Sequence, residues 1–143
     1  MSEYTAHHVG VTVSDLDRAV SFYRDTLGLE LLSRFEVGGE AFATGVAVPG
    51  ARAEFAHLDV GTVRLELVSY DSTGESATET GSEPRIDVSG TTHIGLTVDD
   101  VHARYRELPA DAETLSEPQT TESGTTIFFI RDPEQNLVEI LSP

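Results

Sequence analysis

The sequence lacks several features that would each indicate a class of protein. It has no cysteine, which excludes disulfides, thiolate metal ligands and cysteine nucleophiles. It has no uninterrupted apolar run of the roughly 18 residues that a membrane-spanning helix needs, so we expect no membrane partner. Its first residues, MSEYTAHH, have neither the basic nor the apolar segment of a signal peptide. We therefore expect a cytoplasmic protein.

Lysine is also absent, and acidic residues far outnumber basic ones. Against 25 Asp and Glu there are only 9 basic residues, all arginine, so the formal net charge is −16. A surface of this sign repels phosphate backbones, so we do not expect a nucleic acid partner. An acidic, lysine-free composition is typical of halophilic proteins, which concerns the host and leaves the reaction open.

The most informative feature that is present is an internal duplication. HHVGVTVSD at 7–15 is nearly repeated as THIGLTVDD at 92–100. The far ends of the two copies match as well, since RLELVS at 64–69 resembles LVEILS at 137–142. Repeats of this kind indicate one supersecondary unit used twice. A length of 143 residues is typical of one domain.

We therefore predict a single domain, residues 1–143, made of two modules. Module 1 covers about 4–70, a polar linker covers 71–88 and module 2 covers about 89–143. The predicted class is α+β, with two tandem βαβββ modules related by a pseudo-twofold axis and curved mixed sheets around a metal cleft.

Local signals give more detailed expectations. Ser14 is a suitable N-cap, and a helix is predicted near 15–27 with a left-handed end at Gly28. The segment ATGVAVP at 43–49 is interpreted as a strand or strand edge. DDVHARYREL, which begins at 99, predicts an Asp-capped helix in module 2.

Strand alternation separates two faces of the first strand of each module. In module 1, Val9, Val11 and Val13 share the face expected to pack under the helix, and His8 shares the other with Gly10. The repeated strand places His93 in the same way.

Each closing strand carries a glutamate between apolar neighbours. Glu66 and Glu139 occupy matching positions of the repeat. A single strand-end histidine, or a single glutamate in an apolar strand, is usually an ordinary polar residue. Four such residues at symmetric positions favour a divalent metal site, because imidazole and carboxylate are suitable ligands. The predicted metal ligands are His8, Glu66, His93 and Glu139.

Other polar and aromatic residues give weaker signals. We interpret His7 as a surface or packing residue on the helix side and His102 as solvated on its helix. His57 could line the cleft. Tyr70, Phe129 and Arg131 could contact substrate, and core packing is equally open for Tyr70 and Phe129.

With these residues in place, the chain resembles the vicinal oxygen chelate superfamily, which includes glyoxalase I, methylmalonyl-CoA epimerases, extradiol dioxygenases, fosfomycin-resistance proteins and bleomycin-binding proteins. The segment at 7–31 matches the opening strand and helix of that superfamily, and RDPEQNLVEI matches its closing pattern. Gln135 stands where that pattern usually has glycine, so a left-handed turn there would be strained.

The resemblance implies a function as well as a fold. With a fourth ligand at the position of Glu66, the ligand set of this chain is similar to that of glyoxalase I-like members. Dioxygenases and fosfomycin enzymes have no ligand at that position. The resemblance implies one divalent ion (Ni, Co, Zn, Mn or Fe) and proton transfer alpha to a carbonyl through a metal-bound enediolate, with Glu139 or Glu66 as the catalytic base. The implied partners are a small carbonyl substrate, alone or as a thiol adduct, and a second copy of the chain in a homodimer.

Three alternatives stay open at this point. One is an epimerase-like racemase, in which each glutamate serves one face of the substrate. Another is an extradiol-type dioxygenase, and the third is a non-catalytic protein that binds a small molecule such as an antibiotic. The fold alone does not distinguish them.

Overall fold

The computed structural model describes residues 3–71 and 85–143. The chain divides into two compact units, Met1–Ser76 and Ala77–Pro143, called here the first and second units. Most of the predicted linker lies outside the described residues. Within the described ranges, every helix is too short or too polar to cross a membrane.

The first unit is a four-stranded mixed sheet with two short helices. Its elements in chain order are β1 (His8–Thr12), α1 (Leu16–Ser21) continued by a π-helical turn (Phe22–Thr26), β2 (Leu31–Gly38), α2 (Glu40–Val46), β3 (Arg52–Asp59) and β4 (Arg64–Tyr70). The strand order is β1-β4-β3-β2, in which β1 is parallel to β4 and the other neighbours are antiparallel.

The second unit repeats this arrangement with shorter connections. Its elements are β5 (His93–Thr97), α3 (Val101–Arg106), β6 (Glu113–Thr114), β7 (Gln119–Thr120), β8 (Thr126–Arg131) and β9 (Leu137–Ser142). The order is β5-β9-β8-β6, with β7 also paired to β8 and β5 parallel to β9. The predicted α+β class with mixed sheets is therefore confirmed.

Helix α1 begins one residue later than the sequence suggested. The N-cap is Asp15, whose carboxylate accepts a 3.0 Å hydrogen bond from the backbone N–H of Arg18, so the prediction of Ser14 is wrong. The aspartate side chain reaches the third N–H of the helix, which otherwise has no acceptor. In the second unit, Asp100 caps α3 in the same way, through Ala103, as predicted.

The apolar face of α1 packs on the sheet as its periodicity predicts. Leu16, Ala19, Val20 and Tyr23 are all buried, and the helical segment ends before Gly28, which has a φ of 80°. Arg34 of β2 also links the sheet to α1 by donating a hydrogen bond to the carboxylate of Asp17. This hydrogen bond, with a second one to Glu54, raises the pKa of Arg34 above its usual value.

Strand β1 is less buried than the alternation of its residues suggested. Of the three valines expected under the helix, Val13 is buried, Val11 is half-buried and Val9 is 42% exposed. The cause is that β1 is an edge strand and α1 packs over β3 and β4. The helix therefore covers only one end of β1.

The expectation of a strand at 43–49 is wrong, because most of this segment belongs to α2. The residues from Glu40 to Ala43 have good or moderate helix propensity. Phe42 is the residue of α2 that packs on the sheet. Its ring packs against a cluster formed by Ala53, Phe55 and Val68. Burial of this ring on the sheet outweighs the strand propensity of the valines that follow.

The turn before β9 contains the departure from the superfamily pattern. Gln135 adopts a φ of 72°, so a left-handed residue is present without glycine. Three hydrogen bonds stabilise this turn. The Asp132 carboxylate accepts hydrogen bonds from the backbone N–H groups of Glu134 and Asn136, and the Gln135 amide donates to Glu113. These bonds offset the strain that a side chain brings to this backbone region.

Candidate functional site

In the first unit, the two predicted ligands lie side by side on adjacent parallel strands. Gly10 is the backbone partner of Glu66, and His8 is two residues away, on the same face of the sheet. The Nε2 atom of His8 is 3.4 Å from Oε1 of Glu66. Leu65 and Leu67, on either side of the glutamate, are fully buried on the opposite face. Alternation therefore fixes the carboxylate on the face away from α1.

The second unit contains the same pair. Gly95 is the backbone partner of Glu139, and the Nε2 atom of His93 is 3.3 Å from Oε1 of that glutamate. Val138 and Ile140 are buried on the other face. Each unit therefore brings two of the four predicted ligands together, and the convergence of all four stays a prediction.

The donor atoms of each pair have a separation that suits a shared ion. Two ligand atoms that each lie about 2.1 Å from a tetrahedral ion are about 3.4 Å apart. The observed separations, 3.4 Å and 3.3 Å, agree with this value. Among the described residues, no group of three or more His, Asp and Glu side chains is arranged as a metal site. Each unit on its own therefore has two side chains whose separation is compatible with a shared divalent ion.

His57, which the sequence suggested could line the cleft, contacts Glu66. It lies on β3 as the direct cross-strand partner of Glu66, and its Nε2 atom is 2.7 Å from Oε2 of that glutamate. The side chain is buried. The sequence signal that could have revealed this contact is the β3–β4 hairpin. When Asp59 pairs with Arg64, position 57 lies opposite position 66.

The position of His57 is occupied by an aromatic residue in the second unit. Phe129 is the cross-strand partner of Glu139. Its ring meets the ring of His93 edge-on, with centroids 5.1 Å apart and an interplanar angle of 78°. Phe129 is half-buried and packs against a predicted ligand, so both substrate contact and core packing stay open for it.

His7 is exposed, as expected of a surface residue, and it also contacts the site. Its Nδ1 atom is 2.8 Å from Nδ1 of His8, and the two rings are perpendicular. A hydrogen bond at Nδ1 leaves Nε2 of His8 directed at Glu66, which is how outer contacts commonly orient a ligand histidine. His102 is exposed on α3.

An aromatic surface adjoins the first pair on the same face of the sheet. Phe35 stacks on Phe55 with ring centroids 5.2 Å apart, and its ring also meets His57 edge-on at 5.1 Å. Tyr70 stacks on Phe42 nearby. Phe35 is 38% exposed, so apolar surface is available to a ligand. Arg131, in contrast, donates to the backbone carbonyl of Gln135.

The chain matches the family described as the Glyoxalase/Bleomycin resistance protein/Dioxygenase superfamily over residues 5–140. It belongs to this superfamily. Its fold is similar to that of a glyoxalase family protein from Bacillus cereus, with a TM-score of 0.82 and 23% identity, covering 99% of this chain and 97% of that one.

Two curated relatives are similar in sequence. A protein named "Probable lactoylglutathione lyase" from Vibrio cholerae serotype O1 is 25% identical over 99% of this chain and 92% of its own length. The 2-epi-5-epi-valiolone epimerase of an Actinomyces species is 32% identical over 82% of this chain and 66% of its own length. The relatives thus indicate an enzyme of the glyoxalase family, and they carry more than one reaction name.

Proposed function

We propose that this protein is a metal-dependent, glyoxalase I-like lyase or isomerase that transfers a proton alpha to a carbonyl. The observation that carries the proposal is the occurrence of one His–Glu pair in each unit, with donor atoms 3.4 Å and 3.3 Å apart. These distances suit shared coordination, and the pairs occupy matching positions of a repeat.

The four residues of the two pairs are proposed to hold one divalent ion. These ligands are His8, Glu66, His93 and Glu139. They meet either within one chain or across two chains of a homodimer. When bound, the ion supplies Lewis-acid polarisation of the carbonyl oxygen of the substrate.

Glu139 is proposed as the catalytic base. The hydrogen bond from His57 restrains Glu66, whereas the residue opposite Glu139 is Phe129, whose ring has no donor. The less restrained carboxylate is better able to take the proton from the carbon next to the carbonyl. It then returns the proton to the neighbouring carbon, so the substrate is isomerised without a change in composition.

The proposed substrate is the adduct of a 2-oxoaldehyde with a thiol. The name of the Vibrio cholerae relative supports this choice, and the aromatic surface around Phe35 could pack against the apolar part of such an adduct.

An epimerase is the second candidate. The Actinomyces relative has this activity in its name and the higher identity of the two relatives described. Two carboxylates on one ion would serve the two faces of a stereocentre, with Glu66 as the second base. This mechanism requires Glu66 to leave its contact with His57.

Proton exchange in deuterated water tests the proposal directly. Protein loaded with Ni²⁺, Co²⁺ or Zn²⁺ should convert the adduct to a product that carries deuterium on the carbon that receives the returned proton, as seen by proton NMR. Incorporation of deuterium at a stereocentre with inversion of its configuration would instead support the epimerase. No exchange with any carbonyl compound, together with Fe(II)-dependent oxygen uptake with catechols, would replace both with a dioxygenase.

The dimer has its own test. One chain has a mass of 15.4 kDa, and light scattering of the dimer should give twice that mass. A monomer at all salt concentrations would contradict the dimer and leave only the arrangement in which one chain supplies all ligands.

A further inference from the structure

We propose that His57 is a positioning residue of the metal site, which holds Glu66 so that its Oε1 atom is the one presented to the ion. This inference rests on the metal site of the proposed function. It gives a role to a buried histidine outside the predicted ligand set.

The first argument is that the two carboxylate oxygens of Glu66 make different contacts. Oε1 faces Nε2 of His8 at 3.4 Å, a separation typical of two ligands, whereas Oε2 is 2.7 Å from Nε2 of His57, a hydrogen-bond distance. An ionised carboxylate can only accept, so the ring nitrogen of His57 donates. One oxygen is thus engaged and the other is left for an ion.

The second argument is that His57 is itself held in place. It is only 6% exposed, and the ring of Phe35 meets it edge-on. Phe35 in turn stacks on Phe55, with an interplanar angle of 7°. A donor fixed by packing on a rigid strand preorganises its acceptor, which is how outer contacts raise the affinity of a metal site.

The third argument comes from the matching position of the second unit. Phe129 lies opposite Glu139 there, and a phenyl ring cannot donate a hydrogen bond. The His–Glu pair forms in that unit all the same, with its donor atoms 3.3 Å apart. The fold therefore accepts an apolar ring at this position, and the histidine adds a specific hydrogen bond to the first unit.

The test compares two substitutions in the full chain, with Co²⁺ as the probe. H57F copies the second unit and removes the donor, whereas H57Q keeps an amide N–H within reach of Glu66. Isothermal titration of the metal-free proteins gives the Kd for Co²⁺. Visible absorption of the saturated proteins reports the ligand set, and circular dichroism checks the fold. His102→Ala, at an exposed histidine of α3, is the control for histidine loss.

We expect H57F to bind Co²⁺ about 10- to 100-fold more weakly, the range typical of losing an outer-sphere partner. H57Q should bind within about threefold of the wild type, and the saturated spectra should coincide. If H57F fails to fold, His57→Met gives the same comparison with a smaller side chain that also lacks a donor.

Other results would overturn the inference. Unchanged affinity in H57F would show that the hydrogen bond has no effect on the site. Equal losses in H57Q and H57F, with an altered saturated spectrum, would show that His57 is itself a ligand. If the wild type bound no Co²⁺, the proposed metal site would fail as well, whereas wild-type binding that H57F leaves unchanged would contradict the role of His57 alone.

Discussion

The first and second units carry the same His–Glu pair in different surroundings. In the first unit, His7 contacts His8 and His57 donates to Glu66. In the second unit, the ring of Phe129 meets His93 edge-on and stands opposite Glu139. The two copies of the repeat therefore share the His–Glu pair and the strand pairing around it, while the side chains that contact the pair differ. The difference gives two chemically identical glutamates different restraints.

The largest effect expected is loss of the metal when one histidine is removed from either unit. His8→Ala and His93→Ala should each reduce bound metal from one ion per chain to below about one tenth, since losing a ligand costs more than the roughly 10- to 100-fold of an outer contact. Metal analysis of protein purified without chelators measures this, with His102→Ala as the matched control. Full occupancy in either variant would mean that the two units do not share one ion.

The second effect sharpens the difference between the two glutamates. Glu139→Gln should retain metal and lower the rate of alpha-proton exchange by about 10²- to 10⁴-fold, the typical cost of losing a general base. Glu66→Gln should lower the exchange rate less and weaken metal binding more, because it changes the restrained ligand.

Exchange kinetics and metal titration of the same two proteins measure both quantities. Equal losses of exchange in the two variants would favour a two-base epimerase. A larger loss in Glu66→Gln would reverse the assignment of the base.

The smallest effect concerns the N-cap aspartate that begins the helix after the first strand in both units. Asp15→Ala and Asp100→Ala should each lower the free energy of unfolding by about 1 kcal/mol, since each removes an N-cap hydrogen bond of similar length. Denaturant unfolding measures this, with Asp111→Ala as an exposed control outside both caps. Metal affinity should not change, because neither carboxylate lies beside a His–Glu pair. A fall in affinity comparable to that of H57F would show that the helices also position the ligands.

Much of the fold was predictable because the repeat restricts it strongly. The doubled opening strand, the apolar spacing of α1 and the glutamates between buried neighbours all depend on local periodicity, which sequence expresses directly. The pairing of each glutamate with a histidine follows from these faces once the parallel register is known.

Two of the errors occurred where long-range packing decided the outcome. The helix α2 forms because Phe42 packs on a distant cluster, and Val9 is exposed because β1 lies at the edge of its sheet. The contact of His57 depends instead on the local register of the β3–β4 hairpin, because a shift of one residue would turn the His57 side chain to the other face of the sheet. Composition and periodicity do not contain that information.

The contacts of Glu66 also imply an order in which the chain assembles them. His57 is only 9 residues away along the β3–β4 hairpin, whereas His8 is roughly 60 residues away, so closing the longer loop costs roughly 1.7 kcal/mol more in chain entropy. Hairpins form within microseconds, while parallel pairing between distant strands is slow. We therefore expect the carboxylate to acquire its orientation from a local contact before the edge strand brings the second histidine. In this order of folding, His57 would orient Glu66 first and β1 would then bring His8 beside it.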